Sequence, residues 1–175
     1  MHPIKHFMVI TKHRHQVIKH CAKCGIFWQG LKHDLSKYSP TEFIPGAKYF
    51  LGTRSPNEGE RQDKGYSLAW IHHQGRNKHH FEYWTDIDLE TNKYVPIEMP
   101  DRYIAESICD RIAASEIYNK KNFKPQMVLD YFHNEKGQDL HPNTYKKIET
   151  LLELYVANGK KYIFKYLKKN MRKKK

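Results

Sequence analysis

Four of the chain's twelve histidines fall within nine positions of the segment WIHHQGRNKHHFEYW, residues 70–84. They form two doublets whose starts are seven residues apart. On a continuous helix the doublets would lie about 10.5 Å apart along the axis, too far to share an ion. Gly75 can interrupt the helix, however, and let the second doublet fold back. Because imidazole is a common transition-metal ligand, these histidines are candidate metal ligands. A polar loop without an ion is the alternative interpretation.

A second set of potential ligands comes from three predicted helices. His33 and Asp34 are adjacent in GLKHDLSKYSP, at the end of a short helix. Neighbouring helical residues point about 100° apart, so the pair can share an ion only where the helix end relaxes or the ion lies beyond it. His13 lies on the preceding helix, and Asp110 lies near the buried stripe of a later one. Burying a carboxylate in such a stripe costs free energy unless it is paired or acts as a metal ligand.

This order, H…HD…D, resembles the HD-domain superfamily of helical metal-dependent phosphohydrolases. HDLSK resembles the variant HD-x-x-K, whose lysine faces the substrate phosphate, and CDRIAAS resembles the last-helix motif. The resemblance implies that His13, His33, Asp34 and Asp110 bind a first metal ion, and that Lys37 contacts phosphate. The three strings HDLSKYSPTEF, WIHHQGRNKHHFEYW and CDRIAAS also resemble, together, a family of small bacterial and phage proteins without an assigned function.

The histidine-rich segment loosely resembles that of binuclear superfamily members, which carry extra histidines there. The resemblance implies a second ion on His73 with His79 or His80. The remaining histidines and Asn77 would orient ligands or donate to the substrate. Arg76, with Lys37, would offset charge that develops on a phosphoryl group.

His13 precedes the His-Asp pair by 20 residues. Many superfamily members have a longer connection, so His6, His15 and His20 remain alternatives. His13 and His20 share a helix face, whereas His15 points elsewhere. We favour His13.

A carboxylate that could support these ligands is Glu106, one helical turn before Asp110. It could accept a hydrogen bond from a ligand histidine or pair with Arg102 or Arg111 at the surface. The motif CAKC at 21–24 lacks the second CxxC of a zinc site, so we interpret its cysteines as core thiols.

The resemblance implies a metal-dependent phosphohydrolase that acts on a phosphomonoester or phosphodiester, with a nucleotide-like substrate. Mixed His and carboxylate ligands favour one or two Mn, Fe, Co or Ni ions over Mg. Two alternatives stay open. One is a di-iron oxygenase of HD type, and the other is a non-enzymatic protein that binds nucleic acid through its basic end.

The elements that must position these residues form a single all-α domain of HD type, with roughly six or seven helices. A small hairpin or ordered loop is predicted at 85–97, and a polar surface loop at 52–65. We expect the metal-binding domain to span 1–158, followed by a basic helix or tail at 159–175.

Most of the net charge of +12 belongs to that tail, since residues 160–175 hold nine Lys/Arg and no acid. Without them, 22 basic and 19 acidic residues remain. A solubilising run is one interpretation, and weak contact with nucleic acid is the other. Three cysteines, the lack of an apolar run of about 18 residues and the lack of a secretory signal favour a cytoplasmic protein with no membrane span.

Overall fold

A computed structural model describes residues 1–135 and 139–170 of the protein. Residues 171–175 of the predicted basic tail lie outside the described residues. Within those two ranges the chain forms eight α-helices and one antiparallel hairpin. In chain order these are α1 (Pro3–Lys23), α2 (Phe27–Lys32), α3 (Pro40–Lys48), α4 (Pro56–Lys64), α5 (Leu68–Gln74), β1 (Thr85–Asp88), β2 (Lys93–Pro96), α6 (Asp101–Asn119), α7 (Gln126–Asn134) and α8 (Pro142–Asn170). The predicted mostly helical single domain with a small hairpin is confirmed.

The core lies where α1, α6 and α8 pack together. The predicted stripe of Ile104, Ile108 and Ile112 on α6 is fully buried. Burial of each such side chain contributes roughly 1.5–3 kcal/mol. The cysteines of the CxxC motif are also buried, and Sγ of Cys24 lies 3.5 Å from Sγ of Cys109. The two helices that carry His13 and Asp110 are therefore held rigidly side by side.

The prediction of a surface loop at 52–65 is wrong, because residues 56–64 form α4. Pro56 occupies the first turn, where backbone N–H groups have no partner within the helix, so proline's lack of an N–H group is tolerated. Gly65 ends the helix with a φ of 81°, which glycine adopts readily. Inside it Glu60 is buried and accepts a hydrogen bond from Ser67 Oγ at 2.8 Å. The turn-forming residues at both ends of this polar segment thus led to the wrong prediction of a loop.

The basic end of the chain is not a loose extension over its described part. Gly159 breaks α8 with a φ of 78° and a ψ of 175°, and the chain then continues as helix to Asn170. In that last portion Ile163, Phe164 and Leu167 are buried against the core. The lysines between them therefore lie on the outer face of a packed helix.

None of the helices in the described ranges combines the length and the apolar composition needed to cross a membrane.

Candidate metal centre

The His33-Asp34 pair lies just beyond the end of α2, in a backbone conformation that is not helical. His33 has φ −54° and ψ 128°, and Asp34 has φ 53° and ψ 24°. The left-handed conformation costs roughly 1–2 kcal/mol for a residue with a Cβ, and such costs are concentrated at functional sites. Here it brings the two side chains together, with His33 Nε2 3.3 Å from Asp34 Oδ2.

These two residues complete a first cluster with His13 from α1 and Asp110 from α6. His13 Nε2 lies 2.8 Å from Asp110 Oδ1 and 3.7 Å from Asp34 Oδ2. His33 Nε2 lies 3.5 Å from Asp110 Oδ1. Ligand atoms bonded to one ion at about 2.0–2.2 Å lie roughly 3.0–3.5 Å from one another. The first cluster has close to this spacing.

A second cluster consists of Asp34, His73, His79 and His80. Nε2 of His73 lies 3.3 Å, and Nε2 of His79 3.5 Å, from Oδ1 of Asp34. Nε2 of His73 and Nε2 of His80 are 3.0 Å apart. Asp34 therefore belongs to both clusters, with Oδ2 toward the first and Oδ1 toward the second.

The second cluster exists because α5 stops where the sequence indicated it would. The helix ends at Gln74 with Gly75 as its C-cap, and the chain then turns so that the second histidine doublet faces the first. Both members of the second doublet join the cluster, but only one member of the first does. His72 points away and its Nδ1 donates to Glu42 Oε1 at 2.6 Å.

Two buried glutamates hold the imidazole rings in place. Oε1 of Glu106 lies 2.9 Å from Nδ1 of His33 and 3.3 Å from Nδ1 of His79. Oε2 of Glu42 lies 2.7 Å from Nδ1 of His73. Since an ionised carboxylate only accepts hydrogen bonds, these Nδ1 atoms carry the proton. The lone pair of each ring then lies on Nε2, which points into the clusters.

Several atoms of the clusters lack any hydrogen-bond partner of acceptable geometry, although they are buried. Among the described residues these include Nε2 of His13, His33 and His79 and both carboxylate oxygens of Asp34. A buried polar atom without a partner costs roughly 1–3 kcal/mol. Three of these atoms belong to the first cluster and two to the second, and both sets need an explanation. A metal ion in each cluster would supply one, because each of the five atoms is a suitable ligand.

The chain matches a family of unknown function, DUF5662, over residues 2–154. This range covers most of the chain. The protein belongs to the DUF5662 family. The matched range contains every residue of both clusters and ends before the break at Gly159. No curated protein and no solved structure matches the chain.

The electrostatics of this DUF5662 protein keep the carboxylates ionised. Burial alone would raise the pKa of Asp34, but His33 and Lys37 hold that pKa well below its ordinary value. Burial likewise opposes ionisation of Asp110, and His13 and His33 lower its pKa. The pKa of Glu106 falls to about 2 despite burial, because His33 and His79 donate to it.

The histidines divide into two groups by charge. Burial lowers the pKa of His13 and of His80, the latter with help from the neighbouring histidines. Both rings are therefore neutral, which is the form that binds a metal. Burial also acts against the charged form of His33, but Asp34 and its other carboxylate partners raise its pKa well above 6.5. Metal binding at Nε2 of His33 would displace the second proton of this ring, and the ion would then neutralise the carboxylates in its place.

The three residues predicted to assist catalysis lie in different places. Lys37 Nζ is 2.6 Å from Asp34 Oδ2, at the edge of the first cluster. Asn77 is buried and donates to Ser36 Oγ and to His73 O, both at 2.8 Å, so it supports the second cluster. Arg76 is exposed, with Nη1 3.5 Å from His72 O.

The alternatives to His13 lie outside both clusters. His6 is buried against the rings of Phe43 and Phe50. His15 is exposed. His20 is buried, and its Nδ1 lies 3.2 Å from the carbonyl of Cys109.

Glu42 is the functional residue that sequence reasoning missed, and Glu106 is the one that it left open. Glu42 lies in the first turn of α3, where acids are common because they complement the helix dipole. Its position therefore carried no special signal. Glu106 lies one turn before Asp110 and bonds to His33, not to the arginines that the sequence offered as alternatives.

Proposed function

We propose that the protein is a metal-dependent hydrolase of phosphate esters, with one or two divalent transition ions held by the two clusters. The observation that carries the proposal is the convergence of buried histidine nitrogens without hydrogen-bond partners on the carboxylate of Asp34, whose Oδ2 also pairs with the ammonium group of Lys37. The placement of ligands on α1, after α2 and on α6 also supports an assignment to the HD type.

The donor set favours particular ions. Five imidazoles and two carboxylates suit Mn, Fe, Co or Ni better than Mg, which prefers oxygen ligands. A bound ion of this kind lowers the pKa of its water and polarises a phosphoryl oxygen. The glutamates support this chemistry, since a carboxylate on Nδ1 fixes the ring and makes Nε2 more basic.

The chain itself supplies a cation for the substrate. The side chain of Lys37 is 32% exposed and that of Asp110 is 18% exposed, whereas that of Asp34 is only 2% exposed. The centre is therefore open on the side of Lys37 and Asp110. Partial burial acts against the charge of Lys37, but Asp34 and Asp110 attract that charge and raise its pKa. A charged ammonium at the open side can offset the negative charge that develops on a phosphoryl group.

The test is metal content together with hydrolysis, measured on the protein expressed in metal-supplemented medium. We expect one or two transition-metal equivalents in the wild type and none in His33→Ala/Asp34→Ala. His13→Ala and His80→Ala should each lose the ion of their own cluster. The exposed substitution His15→Ala is the matched control and should keep both ions. The loaded protein should hydrolyse bis(p-nitrophenyl) phosphate or p-nitrophenyl phosphate.

Two outcomes would overturn the proposal. Absence of bound metal in the wild type would remove its basis. Iron with an oxygen-sensitive chromophore, and no hydrolysis of any phosphate ester, would point to oxygenase chemistry at the same ligands.

A further inference from the structure

Two basic grooves flank α1. The first has a volume of about 660 Å³ and lies between α1 and the end of α6; Lys12 and Lys19 line it from α1, and Lys120 from beyond α6. The second has a volume of about 550 Å³ and is lined by Lys23 and by lysines of the last part of α8. These lysines are Lys160, Lys161, Lys165 and Lys168.

The surface of α1 joins the two grooves. Lys12, Lys19 and Lys23 are all exposed or partly exposed, and their spacings of seven and four residues place them on one side of the helix. The row spans about 16.5 Å along the axis. α1 contains no acidic residue.

The charge of the second groove is only partly neutralised. No Asp or Glu lines either groove in the described part of the chain. Lys160 forms an ion pair with Glu116. The other four lysines of the second groove give it a strong positive charge.

The first groove adjoins the open side of the metal centre. Tyr118 lines it, and the charges of Lys37 and Asp110 lie close enough to act on its phenol. Thr11 also lines it, and Thr11 Oγ1 is 3.0 Å from the hydroxyl of Tyr38, the residue that follows Lys37. A chain of anions lying in the first groove could therefore reach Lys37.

We propose that the substrate is a single-stranded nucleic acid whose phosphates follow this lysine row to the metal centre. This inference rests on the proposed function. A mononucleotide would use Lys37 and one groove, and would leave the second groove without a role. A row of cations with exposed aromatic side chains, here Phe7 and Tyr118, matches the way proteins bind single strands without sequence preference.

The test is the salt dependence of binding to a fluorescein-labelled 20-nucleotide oligothymidylate, measured by anisotropy. A plot of the logarithm of the association constant against the logarithm of salt concentration has a negative slope. Removal of one lysine–phosphate interaction should reduce the magnitude of that slope by about 0.7 for a single strand. Lys19→Ala/Lys23→Ala should therefore reduce the slope by about 1.4 and weaken binding roughly tenfold near 0.1 M salt. Lys93→Ala/Lys146→Ala, which removes the same charge from exposed positions elsewhere, should change both quantities little.

The outcomes separate this inference from the proposed function. Equal effects of the two double substitutions, or tighter binding of duplex than of single strand, would overturn the inference. Hydrolysis of bis(p-nitrophenyl) phosphate would still support the proposed function in that case. Conversely, oligonucleotide binding that depends on Lys19 and Lys23 but no hydrolysis of any ester would retain the binding surface and reject the hydrolase. Cleavage of the oligonucleotide that is abolished in His33→Ala/Asp34→Ala, and reduced in Lys19→Ala/Lys23→Ala in line with the weaker binding, would support both.

Discussion

Nδ1 of His33 lies 2.9 Å from Oε1 of Glu106, and Nδ1 of His79 lies 3.3 Å from the same oxygen. One carboxylate thus orients a ring of the first cluster and a ring of the second. The two histidines are separated by 46 residues of chain. Both rings thus have their Nδ1 atoms toward Glu106 and their Nε2 atoms toward Asp34.

Substitution Glu106→Gln keeps the size of the side chain and removes its charge. We expect metal affinity to fall about 10- to 100-fold, because the rings lose the partner that fixes their orientation and basicity. Competition with a chelator of known affinity measures the change. Glu153→Gln, on the exposed face of α8, is the control. An unchanged affinity in Glu106→Gln would show that the rings are held by packing alone.

Substitution Lys37→Met should separate substrate binding from metal binding. We expect kcat/KM for a phosphate ester to fall roughly 10²- to 10³-fold, because a preorganised charge near the phosphoryl group is removed. Metal content should stay the same. The measurement pairs steady-state kinetics with elemental analysis, and Lys32→Met, outside both clusters, is the control. Loss of the ion together with activity would contradict this role and make Lys37 a structural partner of Asp34.

His6 should make the fold less stable in mild acid. Burial, with a smaller effect of Lys37, lowers its pKa from 6.5 to about 4. As the pH falls from 6.5 toward 4, the unfolded chain takes up a proton that the folded chain does not, so the free energy of unfolding falls. His6→Leu should remove this part of the pH dependence, on the order of 1 kcal/mol after solvent screening.

Urea unfolding at about pH 7 and about pH 4.5 measures this difference for the wild type and for His6→Leu. His15→Leu, on the exposed side of α1, controls for the removal of a ring. The same drop in stability between the two pH values in all three proteins would contradict the assignment to His6.

Gly30→Ala should destabilise the fold, although alanine is usually the better helix former. A Cβ at Gly30 would lie 2.6 Å from Cβ of Cys21, so α2 would have to move away from α1. We expect a decrease of roughly 1–3 kcal/mol in the free energy of unfolding. Gly75→Ala, whose Cβ would lie 3.5 Å from Ile71 O, should be tolerated. Denaturant unfolding of both variants distinguishes the two cases.

Much of the candidate metal centre could be predicted from residue types and their spacing. The adjacent pair was expected to share an ion only if the helix ended at His33, and the structure ends the helix there with a left-handed Asp34. The break at Gly75 similarly followed from the weak helix propensity of glycine. The hairpin also followed from the turn formers between two short stretches of β-forming residues.

The parts that the sequence did not predict depend on tertiary packing. Glu42 comes near His73 only because α3 packs on α5, and no local pattern encodes that contact. The α4 helix was missed because its polar composition matched a loop, and burial of Glu60 is visible only after folding. Which oxygen of Asp34 faces which cluster is set by the geometry of the folded chain, which neither spacing nor composition specifies.

If both clusters bind ions, the shared position of Asp34 makes their occupancies thermodynamically dependent on each other. Its carboxylate is a rigid planar group, so a rotation that improves contact with one cluster alters contact with the other. Whatever factor the first ion contributes to the affinity of the second, the second must contribute equally to the first. Metal binding at the two clusters is then one linked equilibrium instead of two separate ones. If that factor is favourable, a modest change in the available metal concentration would move the protein between its empty and fully occupied forms.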